Sequence, residues 1–188
     1  MKILKKIQYN SPVVLTFVLL SLAALALGYV TKGWTTAHLF SVYRSSPLRP
    51  GTYVRLFGHI LGHANLEHYI GNMVLILVIG PPLEEKYGAK TLLAAILLTA
   101  AVSGAVHLLV SPSAALLGAS GIVFMMILLS SLAGMRAGSI PLTLILVAVI
   151  YIGGEIIDGF TLSDGVSHLT HIVGGCCGTG IGFYLGKR

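Results

Sequence analysis

Apolar residues in this chain come in long runs rather than in alternating or one-sided stripes. Six segments can be drawn: Ser11–Val30, Leu66–Ile79, Ala89–Val110, Gly118–Leu132, Ile140–Ile157 and Val166–Leu185. A helix that is apolar all round belongs in lipid or deep inside a bundle. About 20 helical residues cross a hydrocarbon core, and several of the runs reach that length. The pattern predicts an all-α membrane protein with six transmembrane helices. Pro81-Pro82 is expected to end the second helix, since proline lacks the N–H a helix needs and its ring collides with the turn before it. The run after Met1–Lys6 is too long for the apolar part of a secretory signal and reads as a retained first span. Between the first two runs, Thr31–Gly58 carries Trp34, Tyr43, Pro47, Pro50 and Tyr53, residues suited to a membrane interface.

Composition agrees. The 188 residues are 55% hydrophobic and 10% charged, against about 25% charged in a soluble domain, and the mean hydropathy is +0.90. The net charge of +6 does not point to nucleic acid, because the basic residues flank the apolar runs and act as topology signals. With the N-terminus in the cytoplasm, Lys2, Lys5, Lys6, Lys86, Lys90, Arg136, Lys187 and Arg188 fall inside, and Lys32, Arg44, Arg49 and Arg55 outside. That excess is the one the positive-inside rule requires. It leaves both termini cytoplasmic and Glu155, Asp158 and Asp164 at or near the outer side. The length is read as one domain, 1–188, with no appended soluble module, a minimal form expected of a multi-pass protein of a prokaryotic cell membrane. Cys176 and Cys177 are adjacent, so their side chains diverge too far for a disulfide. Gly174, Gly178, Gly182 and Gly186 form a four-residue repeat of the kind that lets helices approach closely in lipid.

Against this background five polar residues inside the runs stand out: His68, Asn72, His107, Ser120 and His171. Polar groups at such depth are expensive and default to function. Ser120, His171 and His68 each stand 16 residues before a charged residue, Arg136, Lys187 and Glu84 respectively. At 1.5 Å per residue all three lie about 24 Å above the inner boundary, just below the outer surface. His107 falls at a similar depth. The run from Ser120 to Arg136 is too short to cross, so the Ser111–Gly118 loop is expected to dip into the membrane, where irregular backbone survives only if buried in protein or lining a wet cavity.

Gly118-Ala119-Ser120-Gly121 sets a serine on a glycine-flanked turn into a helix. Glycine allows close substrate approach, and a helix start offers free N–H groups to an oxyanion. The same motif also serves as an ordinary helix start. His68 and Asn72 lie four apart on one helical face; both can donate to an oxyanion, or simply bond between helices. His171, with Gly174 three residues on, is a candidate general base for Ser120, with buried packing or metal binding as the alternatives.

His63-Ala-Asn-Leu-Glu-His68-Tyr-Ile-Gly-Asn72, Gly118-Ala-Ser120-Gly121 and His171-Ile-Val-Gly174 together resemble the rhomboid family, over about residues 11–187. The resemblance implies a six-helix intramembrane serine endopeptidase that cleaves transmembrane substrates. It implies Ser120 as nucleophile and His171 as base, and His68, Asn72 and the Ser120 N–H as the oxyanion site. Gly118, Ala119 and Gly121 belong to the loop that shapes the substrate pocket, segment five and Asp158–Gly165 to the gate and cap. Arg55 and Glu84 resemble structural residues of the family. Two positions depart from its pattern: Phe124 stands where tyrosine is frequent and Val54 where tryptophan is. No third triad member is evident, although Asp158 or Asp164 could pair with His168. No cofactor is implied. The expected partners are transmembrane protein substrates and the lipid bilayer, not nucleic acid.

Three other classes compete. A catalytically inactive rhomboid-like binding or quality-control protein would lack the serine or the histidine. A transporter or proton channel would use His68, His107 and His171 as a relay and would not depend on Ser120. A metal site would need acidic ligands or an i, i+4 histidine pair at the depth of these residues, and none is seen in the sequence.

Overall fold

The computed structural model describes residues 8–111, 113–135, 139–161 and 167–186, without the side chains of residues 158–161. Arg136, Lys187, Arg188, Asp164 and the first seven residues therefore lie outside the described residues, as does half of the expected cap. The described chain is helical, and its β-structure is one isolated bridge. Among the described residues, three helices are long and apolar enough to cross a membrane by length and composition. They are α1 (Pro12–Val30), α4 (Leu66–Tyr87) and α5 (Ala89–Val110). Two short helices, α2 (Trp34–His38) and α3 (Pro50–Gly58), occupy the connection between α1 and α4. After α5 come α6 (Ser120–Ser131), α7 (Leu142–Val147), α8 (Gly153–Thr161) and α9 (His168–Gly186).

One expectation is corrected. The helix α4 passes through Pro81-Pro82 and ends at Tyr87. Two contacts hold the turns around the prolines. Buried Gly80 lies against Val14, where a Cβ would come within 2.7 Å of a methyl. Farther on, the Glu84 carboxylate accepts from the Val13 and Val14 N–H groups, each at 3.0 Å. Ser11, the residue before α1, makes no side-chain cap, so Glu84 satisfies two of the free donors that begin any helix. The negative charge also suits the positive end of the helix dipole. The lost backbone bonds at the prolines are offset by this lock between α1 and α4.

At the centre stands α6. Its 12 residues measure about 18 Å, less than a bilayer core. Ile122, Val123, Met125, Met126, Ile127, Leu128 and Leu129 are all buried, as expected of a helix apolar on every side. The helices α4, α5, α7 and α9 pack around it, and Leu19, Leu20, Leu22 and Leu27 of α1 and Val149 and Ile150 of segment five turn outward. So many exposed large apolar side chains are tolerable in lipid and not in water.

Segment five is not one regular helix. A π-helical turn, Ala148–Ile152, separates α7 from α8. Such a turn shifts the side-chain register of the helix beyond it. Glu155, three residues past the turn, faces α9.

The loop before α6 is tied down at three points. Val42 and Leu116 exchange both backbone bonds at 2.9 Å. The His107 ring reaches the Ala114 carbonyl at 3.1 Å, and the Gly118 N–H donates to the His59 carbonyl at 2.9 Å. The connection between α1 and α4 thus holds the loop from one side and α5 from the other. Arg55, buried in that connection, lies 4.3 Å above the Tyr43 ring and donates to Ser45.

Candidate active site

Ser120 begins α6. The loop must turn sharply to present it, and Gly118 does so at φ +127°, a conformation that side chains rarely allow. A Cβ at Gly118 would also come within 2.9 Å of the His68 ring. The glycine is therefore required twice, by its backbone angle and by the imidazole above it. Ala119 is fully buried, and its carbonyl accepts from the Ile122 and Val123 N–H groups. The Ser120 and Gly121 N–H groups come before any carbonyl of the helix can accept them.

His171 meets the serine from α9. Its Nε2 and Ser120 Oγ are 2.7 Å apart, a short hydrogen bond between groups 51 residues apart in sequence. Glycine makes the approach possible. A Cβ at Gly174 would overlap the Gly121 carbonyl, and one at Gly178 would overlap the Met125 carbonyl. The two helices therefore touch backbone to backbone over two successive turns. Phe124, one turn into α6, stacks flat on the His171 ring, with centroids 4.5 Å apart and planes within 8°.

The sequence reading places Ser120, His171, His68 and Asn72 together, and all four line one cavity of about 800 Å³. His68 packs over Gly118, edge-on to His63 at 5.0 Å. The Asn65 side chain caps α4 by accepting from the His68 N–H at 2.8 Å. Asn72 donates one amide N–H to the His68 carbonyl of its own helix at 3.2 Å, which leaves the other for a substrate oxygen. His107 also borders the cavity, with its ring engaged by the loop.

One charged residue escapes the sequence reading. Glu155 Oε2 lies 2.7 Å from His168 Nδ1 and 2.9 Å from His171 Nδ1. The contact with His168 is a formed hydrogen bond. The one with His171 is at ion-pair distance but off the line of a straight N–H···O bond. His168 is therefore paired by Glu155, and an acidic group does reach the histidine pair; the side chains of Asp158 and Asp164, which the sequence offered as partners of His168, lie outside the described residues. The signal was present: Glu155 is the one acid inside the fifth apolar run, and an ionisable residue in a span invites a search for its partner. The three donor atoms lie within 4.8 Å of one another. Their 2.7–2.9 Å contacts are nevertheless tighter than the edges of about 3.3 Å that a tetrahedral zinc site imposes.

A family model described as Rhomboid domain matches residues 50–188. The chain belongs to the rhomboid family. The match covers Ser120, His171, His68, Asn72 and Glu155. The chain is also 28% identical over 154 residues to Rhomboid-related protein 1 of Caenorhabditis elegans, a match covering 77% of this chain and 43% of that protein. It thus spans less than half the length of its nematode relative. That relative lends no support to a prokaryotic origin, and only the coarser placement is kept: a rhomboid-family, multi-pass helical membrane protein.

Proposed function

We propose that this protein is an intramembrane serine endopeptidase that cuts transmembrane segments of other membrane proteins, with Ser120 as nucleophile and His171 as general base. The observation that carries the reading is the 2.7 Å hydrogen bond between Ser120 Oγ and His171 Nε2, made at the start of a short buried helix and open to a cavity. His171 takes the serine proton as Oγ attacks the scissile carbonyl. The developing oxyanion is met by the Ser120 N–H and by His68 and Asn72, donors already beside the cavity. His171 then protonates the leaving amine. Water, with its proton taken by His171, releases the acyl group from Ser120. The loop of Gly118, Ala119 and Gly121 shapes the pocket, and no cofactor takes part.

The architecture that goes with this activity is one domain over 1–188, six spans and both termini in the cytoplasm. Segment five acts as the gate through which a substrate helix enters from the bilayer. The test is cleavage of a generic transmembrane substrate by purified protein in liposomes, beside Ser120→Ala. Cleavage by the wild type alone is the expected result, together with covalent labelling of Ser120 by a phosphonate. Equal cleavage by the variant, or label on another residue, removes the assignment. An inert wild type that folds normally would favour an inactive rhomboid-like binding protein.

A further inference from the structure

We propose that Glu155 is a positioning residue for His171, a third member of the site that fixes the imidazole with Nδ1 protonated and Nε2 ready to take the serine proton; this rests on the protease reading. Imidazole has two nitrogens, and the hydrogen bond at one decides the state of the other. Here Nε2 faces Ser120 at 2.7 Å and Nδ1 faces the Glu155 carboxylate at 2.9 Å. A carboxylate accepts and does not donate, so the nitrogen beside it carries the proton. That leaves a lone pair on Nε2, where the general base needs it.

The same oxygen also accepts from His168 at 2.7 Å. A carboxylate oxygen has two lone pairs, and one can serve each ring. The bond to His168 therefore holds the carboxylate oxygen in place, while Phe124 fixes the plane of the His171 ring. The bent approach at Nδ1 is no obstacle, because catalytic hydrogen bonds commonly straighten only when substrate is bound. Among the described residues, the groups facing His171 are Ser120 and Phe124 from α6, His168 from its own helix, Glu155 from α8 and His68 across the cavity from α4. Glu155 is the only acid in that set. When His171 becomes cationic in the transition state, the Glu155 carboxylate opposes the new charge.

The experiment compares wild type, Glu155→Gln, Glu155→Asp and Glu155→Leu in liposomes, with melting temperature measured on the same samples. Expected is a fall in kcat of about 10²-fold or more for Gln and Leu, a smaller change in KM, and partial recovery in Asp. The acid limb of the rate profile should move to lower pH in Gln and Leu, since a neutral side chain no longer favours the imidazolium. Nitrogen NMR of His171 reads the ring directly, without any substrate. Wild type should show protonated Nδ1 and unprotonated Nε2, and Leu a mixture of the two forms. A lowered melting temperature with unchanged kcat per folded molecule and an unmoved acid limb would overturn the proposal. Loss of wild-type activity on chelation, restored by zinc, would overturn it as well. If no variant and no wild type cleaves, the protease reading falls, and the NMR result still decides whether Glu155 sets the ring.

Discussion

The pair α6–α9 and the segment α7–α8 contribute to the same site and are built by opposite means. Where α6 meets α9, glycines bring main chain against main chain, seven large side chains of α6 are buried, and nothing can shift without overlap. In α7–α8, Leu144 is buried, while Val149, Ile150, Ile156 and Ile157 face outward and a π turn breaks the helix. Ser120 and His171 come from the close-packed pair and Glu155 from the loosely packed segment. In membranes, packing rather than apolar burial holds helices together, so the two regions should differ in what it takes to move them. The bond-forming groups sit where the fold is rigid, and the group that directs them sits on the element expected to move.

The most severe break in this comparison is His171→Ala. Its loss should lower turnover on the order of 10⁴-fold or more, and Ser120→Ala with His171→Ala together should be hardly worse, because the two act as a unit. Initial rates of substrate cleavage for the single and double variants test this, and losses that multiply would mean separate roles. Next come His68→Ala and Asn72→Ala. Each should lower kcat about 10²–10³-fold with a smaller change in apparent affinity, measured beside the melting temperature. A normal kcat per folded molecule with a depressed melting temperature would make both residues interhelical glue.

A third test addresses rigidity itself. Gly178→Val drives a Cβ into the Met125 carbonyl and should destabilise the fold by about 1–3 kcal/mol or more. Ile150→Ala, in a residue 67% exposed, should change stability by no more than about 0.5 kcal/mol. Equal losses of melting temperature in the two would erase the distinction between the regions.

The smallest effect concerns acid. His59 and His63 lie in the connection between α1 and α4, under the loop that carries Gly118. Burial pushes both from the ordinary 6.5 down to about 4, with the positive charge of His68 adding to the effect at His63. The unfolded chain takes up these protons as pH falls below about 6.5, and the folded one resists until about 4. Stability is therefore full above that window and declines through it. Melting temperature followed from neutral pH to about 4 should fall, less so in His59→Gln. A flat profile would show that these rings do not stay neutral in the fold.

Much of this architecture is legible in the sequence. Long apolar runs mark helices at a fixed threshold of length, and their polar interruptions mark a site, so α1, α5 and the cluster of Ser120, His171, His68 and Asn72 all show in the residue pattern. The stack of Phe124 on His171 follows from one turn of helical spacing. The features that escape depend on partners rather than on pattern. Pro81-Pro82 signals a helix end by its own chemistry, and only the Glu84 contact with α1 explains why the helix continues. Glu155 shows as an acid inside an apolar run, but its charge alone does not tell which histidines it meets. A π turn and a second histidine, neither visible as a period, turn it inward.

The glycines of α9 determine how the site tolerates change. The spacing of the helices that carry Ser120 and His171 is gauged by main chain lying on main chain, so no side chain between them lengthens or shortens it. Such a gauge has no adjustment. Repacking side chains elsewhere leaves it alone, and adding even one carbon at Gly174 or Gly178 forces the helices apart. Variation that tunes this site without breaking it is therefore confined to the parts that meet the pair through side chains alone, and rate is adjusted from the periphery while the spacing of the two helices stays fixed.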